Sequence, residues 1–64
     1  MKNNLEKFRK NLQMTQSQLA DKLEVSRQTV NSIENGRYDP SIILAFKISI
    51  LFKKKIEEIF IYEG

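Results

Sequence analysis

Residues Ser26 to Arg37 read S-R-Q-T-V-N-S-I-E-N-G-R, and the chemistry this stretch offers is paired hydrogen bonding. Placed 100° apart on a helix, Arg27, Gln28, Asn31, Ser32 and Asn35 fall within one arc of about 140°, opposite Thr29, Val30 and Ile33. Arginine can donate two hydrogen bonds to the O6 and N7 of guanine. Glutamine or asparagine can donate to N7 and accept from N6 of adenine, so the set suits the edges of base pairs. Long acidic side chains, which would repel phosphates, are missing from the arc. The simpler reading is an ordinary solvated helix face, but such faces commonly pair Glu with Lys at i, i+4, and this arc carries neither.

Other chemistry is poorly supplied. The chain has no His and no Cys, which removes the common nucleophile, general base and zinc ligands. The adjacent carboxylates Glu57 and Glu58 project about 100° apart on a helix and do not converge. The expectation is therefore no enzyme activity, no metal and no cofactor. A net charge of +3 suits a nucleic-acid or acidic-membrane partner without deciding between them. Lys47 is the only charge between Ile42 and Phe52, so no basic face opposes an apolar one as membrane-surface binding would need. The N-terminus, M-K-N-N-L-E-K-F-R-K, has no apolar block behind its basic residues, and the longest apolar run, Ile42 to Phe46, is too short to span a bilayer. A soluble, cytoplasmic protein with no membrane partner is expected.

A chain of 64 residues forms one domain, 1–64, and buries only about 60% of the surface its unfolded form exposes. Without disulfides or thiolate metal sites, self-association is the remaining common source of added stability. Leu5, Phe8 and Leu12 mark one face of a first helix from about Asn3 to Leu12. Thr15 with Gln18 forms a capping box, so a second helix starts near Gln16; its inner face is Leu19, Ala20 and Leu23, and it stops around Glu24. Ser26 caps a third helix from about Arg27 to Asn35, and Gly36 stands where a left-handed C-terminal cap is needed. Asn35-Gly36 is also a hairpin signal, but its flanks have period 3.6 and not period 2. Asp39-Pro40-Ser41 breaks the chain, Ser41 caps a fourth helix through about Phe52, and a short fifth helix covers about Ile56 to Phe60. The tail I-F-I-Y-E is strand-like and can pair with the N-terminal residues as a short ribbon. The fold class is all-α, five helices, with that short terminal β-ribbon.

The second and third helices, joined by three or four residues, must cross steeply, and Ala20 supplies the small residue at the crossing. From Gln16 to Asn35 the sequence Q-S-Q-L-A-D-K-L-E-V-S-R-Q-T-V-N-S-I-E-N resembles the helix-turn-helix of the phage Cro and repressor family, also called the xenobiotic-response-element family of bacterial regulators. The match extends through N-G-R-Y-D-P-S, the apolar fourth helix and I-E-E-I-F, and is most similar to minimal regulators of the cytolysin-repressor type. The resemblance implies a lambda-repressor-like domain whose third helix lies in the major groove of double-stranded DNA. Carried over by position, Arg27, Gln28, Asn31 and Ser32 would read bases. Gln16, Ser26, Asn35 and Arg37 would contact the backbone, with Ser26 also capping its helix. Arg9 and Glu34 match a structural ion pair of relatives. Gln13, Glu24 and Lys53 stand where relatives usually carry Gly, and Lys55 replaces a common capping Ser or Thr.

The fourth helix, S-I-I-L-A-F-K-I-S-I-L-F, is apolar nearly all round and cannot bury every side against one small core. By family position Ile42, Leu44, Ala45, Ile48 and Phe52 belong to the core. That leaves Ile50 and Leu51, with Ile56 and Ile59, as candidates for a two-fold interface, unless the tail covers them within one protomer. A homodimer would set two reading helices about 34 Å apart on a pseudo-palindromic operator. Lys53-Lys54-Lys55 reads either as a phosphate patch or as a solvated loop. The leading expectation is a sequence-specific DNA-binding transcriptional regulator, a repressor acting as a homodimer, with no small-molecule effector domain. The alternative is an antitoxin or other protein-interaction module that uses the fourth helix.

Overall fold

The computed structural model describes all 64 residues, in the order β1 (Lys2–Asn3), α1 (Leu5–Asn11), α2 (Gln16–Leu23), α3 (Arg27–Glu34), α4 (Ile42–Phe52), α5 (Ile56–Ile59) and β2 (Phe60–Ile61). Local hydrogen bonds start three of the helices. Thr15 Oγ1 accepts from the Gln18 N–H at 3.0 Å while Gln18 Oε1 accepts from the Thr15 N–H at 2.8 Å. Ser26 Oγ and Ser41 Oγ each accept the backbone N–H three residues on, at 3.1 Å. Lys55 has no side-chain oxygen to offer α5, but Glu58 Oε1 still accepts from its N–H at 3.0 Å, so half of a capping box survives the loss of Ser or Thr.

Gln13, Glu24 and Lys53 all adopt left-handed backbone, with φ of 57°, 60° and 55°. The turns therefore keep the shape that glycine would provide, and this chain carries the strain of a Cβ there. Glu24 closes α2 in that conformation, with its own N–H donating to Asp21 O at 3.2 Å and that of Val25 donating to Ala20 O at 3.0 Å. The three residues Glu24 to Ser26 then redirect the chain into α3.

Twelve apolar side chains form one core, drawn from every helix and from β2. Leu5, Leu19, Val30, Ile48 and Ile59 are fully buried, and Ala20 is buried with them. The terminal ribbon is present: β1 and β2 run antiparallel with Lys2 opposite Ile61 and Asn3 opposite Phe60. It also moves two expected boundaries. α1 begins at Leu5 and not Asn3, because Asn3 Oδ1 accepts from the Leu5 N–H at 3.1 Å while its Nδ2 donates to Ile33 O, at the end of α3, at 2.8 Å. Phe60 leaves α5 for the ribbon with extended backbone. Leu12 falls beyond α1 and is mostly exposed.

α4 divides cleanly around its axis. Leu44, Ala45, Ile48 and Phe52 face inward, whereas Ile42, Ile43, Phe46 and Ile50 are 65%, 67%, 53% and 76% exposed and share an arc of about 100°. Ile42 is thus outside the core that its family position implies, because α4 packs against α2 and α5 with Leu44, Ala45, Ile48 and Phe52 turned inward. The proposed interface set changes too: Ile50 is exposed, Leu51 and Ile56 are half-buried, and Ile59, at 0% exposure, has no surface left for a second chain. Asn4 adds to that enclosure, donating its backbone N–H to Ile59 O at 2.7 Å. No helix is long and apolar enough to cross a membrane.

Candidate nucleic-acid interface

α3 is anchored from beneath by Val30 and Ile33, both buried, and from both ends by hydrogen bonds. At its start Ser26 Oγ holds the Thr29 N–H and lies 2.9 Å from Thr29 Oγ1. At its end Gly36, with φ of 75°, donates its N–H to Ile33 O at 2.9 Å, and the N–H groups of Arg37 and Tyr38 turn back to Ser32 O. A Cβ on Gly36 would stand 3.3 Å from Met1 O, so backbone conformation and space both favour glycine there.

With the helix held this way, Arg27, Gln28, Asn31 and Asn35 are exposed on its outer side and Ser32 is half-buried. Arg37 is exposed just past the end of α3. Neither Arg27 nor Arg37 enters an ion pair, so each keeps its guanidinium available. Ser26 is exposed, but its oxygen is occupied in capping. Gln16, half-buried at the first turn of α2, is drawn into contact with α3: its Nε2 donates to Glu34 Oε1 at 2.9 Å, and its Oε1 accepts from Asn31 Nδ2 at 3.5 Å. Asn35 Nδ2 in turn donates to Asn31 Oδ1 at 3.1 Å. Gln16, Asn31 and Asn35 therefore form one connected group, while Arg27 and Gln28 stand apart from it.

Beneath that group lies the ion pair between α1 and α3. Arg9 donates from Nε to Glu34 Oε2 at 2.7 Å and from Nη2 to Glu34 Oε1 at 3.2 Å, with Nη1 donating to Met14 O at 2.8 Å. The Glu34 side chain is only 3% exposed, and such a pair is held mainly by the cost of leaving either charge buried alone. The hydrogen bond to Glu34 raises the Arg9 pKa above its ordinary value against the opposing effect of burial, with the charges of Glu34 and Glu6 adding to it. Arg9 thus stays charged wherever the protein is folded.

Tyr38 was not singled out by the sequence pattern. It is half-exposed and lines, with Ser26, Gln28, Thr29 and Ser32, a shallow depression of about 250 Å³ beside α3. The available signal was an aromatic residue directly after Asn35-Gly36-Arg37. Lys53, Lys54 and Lys55 are exposed in the α4–α5 loop, with the Lys54 ammonium 5.6 Å from the centre of the Phe8 ring.

A helix-turn-helix family model matches residues 5–59. A protein of Methanocaldococcus jannaschii named as an uncharacterized HTH-type transcriptional regulator is 59% identical over 63 residues, covering 98% of this chain and 96% of the relative. A similarly named protein of Archaeoglobus fulgidus is 43% identical, covering 98% and 89%, and one of Bacillus subtilis is 42% identical, covering 94% and 91%. The α2–α3 pair packed on a shared core, the ion pair behind it and the family match over nearly the whole chain agree, and the chain belongs to the helix-turn-helix family.

Proposed function

We propose that residues 1–64 act as a single-domain, sequence-specific DNA-binding transcriptional regulator, a cytoplasmic repressor that occupies a pseudo-palindromic operator as a homodimer and so excludes polymerase. The observation that carries this reading is the outer side of α3, where exposed Arg27, Gln28 and Asn31 rise from a helix fixed at both ends. In this reading α3 lies in the major groove with Arg27, Gln28, Asn31 and Ser32 toward the bases. Gln16, Asn35 and Arg37 contact the backbone, and Ser26 adds a phosphate contact to its cap. The relatives' names as transcriptional regulators support the class. For the homodimer, the exposed stripe Ile42, Ile43, Phe46 and Ile50 supports a second copy packed on α4, with half-buried Leu51 and Ile56 at its margin. Four neighbouring exposed apolar side chains on so small a protein support an interaction surface there.

Selection from a random duplex library at about 150 mM salt, which suppresses nonspecific phosphate binding, tests the reading. An enriched pseudo-palindrome with half-sites about one helical turn apart is the expected result. A folded protein that enriches no sequence would refute it. The same exposed stripe also favours a second reading, an antitoxin-like module in which α4 holds a different protein. Co-purification of a stoichiometric partner whose release requires Phe46→Glu would favour that alternative.

A further inference from the structure

Glu34 accepts three hydrogen bonds, two from Arg9 and one from Gln16 Nε2, and its side chain is almost wholly buried. A carboxylate is an acceptor only, so it admits the amino end of the Gln16 amide and not the oxygen end. Gln16 Oε1 must then face away from Glu34, where it accepts from Asn31 Nδ2 at 3.5 Å, the longest link of the series. Asn31 Oδ1 consequently faces Asn35 Nδ2, which donates to it at 3.1 Å. Each amide is oriented by the one before it, and the series begins at a charge that cannot reverse its role.

We propose that Glu34 is a positioning residue for base recognition: through Gln16 it fixes which end of the Asn31 amide donates and which accepts. The inference rests on the DNA-binding reading above. After its internal bonds Asn31 keeps one Nδ2 hydrogen and one Oδ1 lone pair, presented in a fixed order. Adenine offers a matching acceptor at N7 and donor at N6 in the major groove; guanine offers two acceptors, and thymine and cytosine one matching group each. The base pair facing Asn31 is therefore A·T with its adenine toward the helix. A glutamine in place of Glu34 can offer either an oxygen or an amino group to Gln16, and the order is no longer imposed.

Two measurements test this on the full chain. In the free protein, side-chain amide resonances of Asn31 and Asn35 should shift in both Glu34→Gln and Gln16→Met. The second variant leaves the Arg9–Glu34 pair intact and serves if the first fails to fold. In duplex selection, the wild type should prefer adenine at one position of each half-site by about ten-fold, and both variants should reduce that preference to about two-fold while keeping preferences elsewhere. Asn31→Ala should abolish the same preference, and adding Gln16→Met to it should change specificity no further. Resonances that do not move, or variants that weaken binding to all sequences equally, would overturn the role of Glu34 alone. If the amides respond as expected but the wild type selects no sequence, the DNA-binding reading falls and takes this one with it.

Discussion

Lys53→Gly should stabilise the protein. Lys53 closes α4 at φ of 55°, a left-handed conformation that costs a residue with a Cβ about 1–2 kcal/mol. Glycine removes that cost but returns about 0.4–1 kcal/mol through the greater freedom of the unfolded chain, leaving a net gain of about 0.8 kcal/mol at the middle of the two ranges. For 64 residues the unfolding entropy near 60 °C is about 0.13 kcal/mol/K, so Tm should rise by about 6 °C. Glu24→Gly should gain less, because it also loses the contact between Glu24 Oε1 and Lys47 Nζ at 3.4 Å, an exposed pair worth about 0–0.5 kcal/mol. Thermal unfolding followed by circular dichroism, at one fixed protein concentration to hold self-association constant, reads both. Lys53→Ala is the control, since it removes the same lysine and keeps the strain. A Lys53→Gly protein that melts no higher than Lys53→Ala would refute the reasoning, and would mean that the turn relaxes without cost.

Arg9→Met should cost about 3–5 kcal/mol by stranding buried Glu34, out of a total stability of about 3–10 kcal/mol for a chain of this size. Adding Glu34→Leu should recover much of the loss in denaturant titrations. Ile59→Ala should cost about 2–5 kcal/mol as a core cavity; a loss of dimer with unchanged monomer stability would return Ile59 to the interface. Phe46→Glu and Ile50→Glu should yield folded monomers in sedimentation with much weaker operator binding, and an unchanged dimer would remove the α4 stripe from the interface. Arg27→Ala should relax specificity at one base pair by about 1–3 kcal/mol, whereas Arg37→Ala should weaken all sequences alike and lower the salt dependence of binding by about one ion.

The sequence alone determined the features that depend on near neighbours. The Thr15–Gln18 box, the Ser26 and Ser41 caps and the Gly36 turn each close a hydrogen bond within a few residues, so their partners are written beside them. The polar arc of α3 was legible for the same reason: helical periodicity separates Asn31 from Val30 and Ile33 before any packing exists. Tertiary structure decided what no local pattern could. α4 is apolar on nearly every side, so its sequence carries no periodicity to point Leu44 inward and Ile42 outward; only packing against α2 and α5 does so. Ile59 belongs to a single helical turn, too short to show a face, and is enclosed because Asn4 closes over it from the other end of the chain. Asn3 is taken from α1 by the carbonyl of Ile33, thirty residues away, and Gln16 is turned toward Glu34 across the α2–α3 angle. Those long-range hydrogen bonds pair groups that chain folding alone brings together.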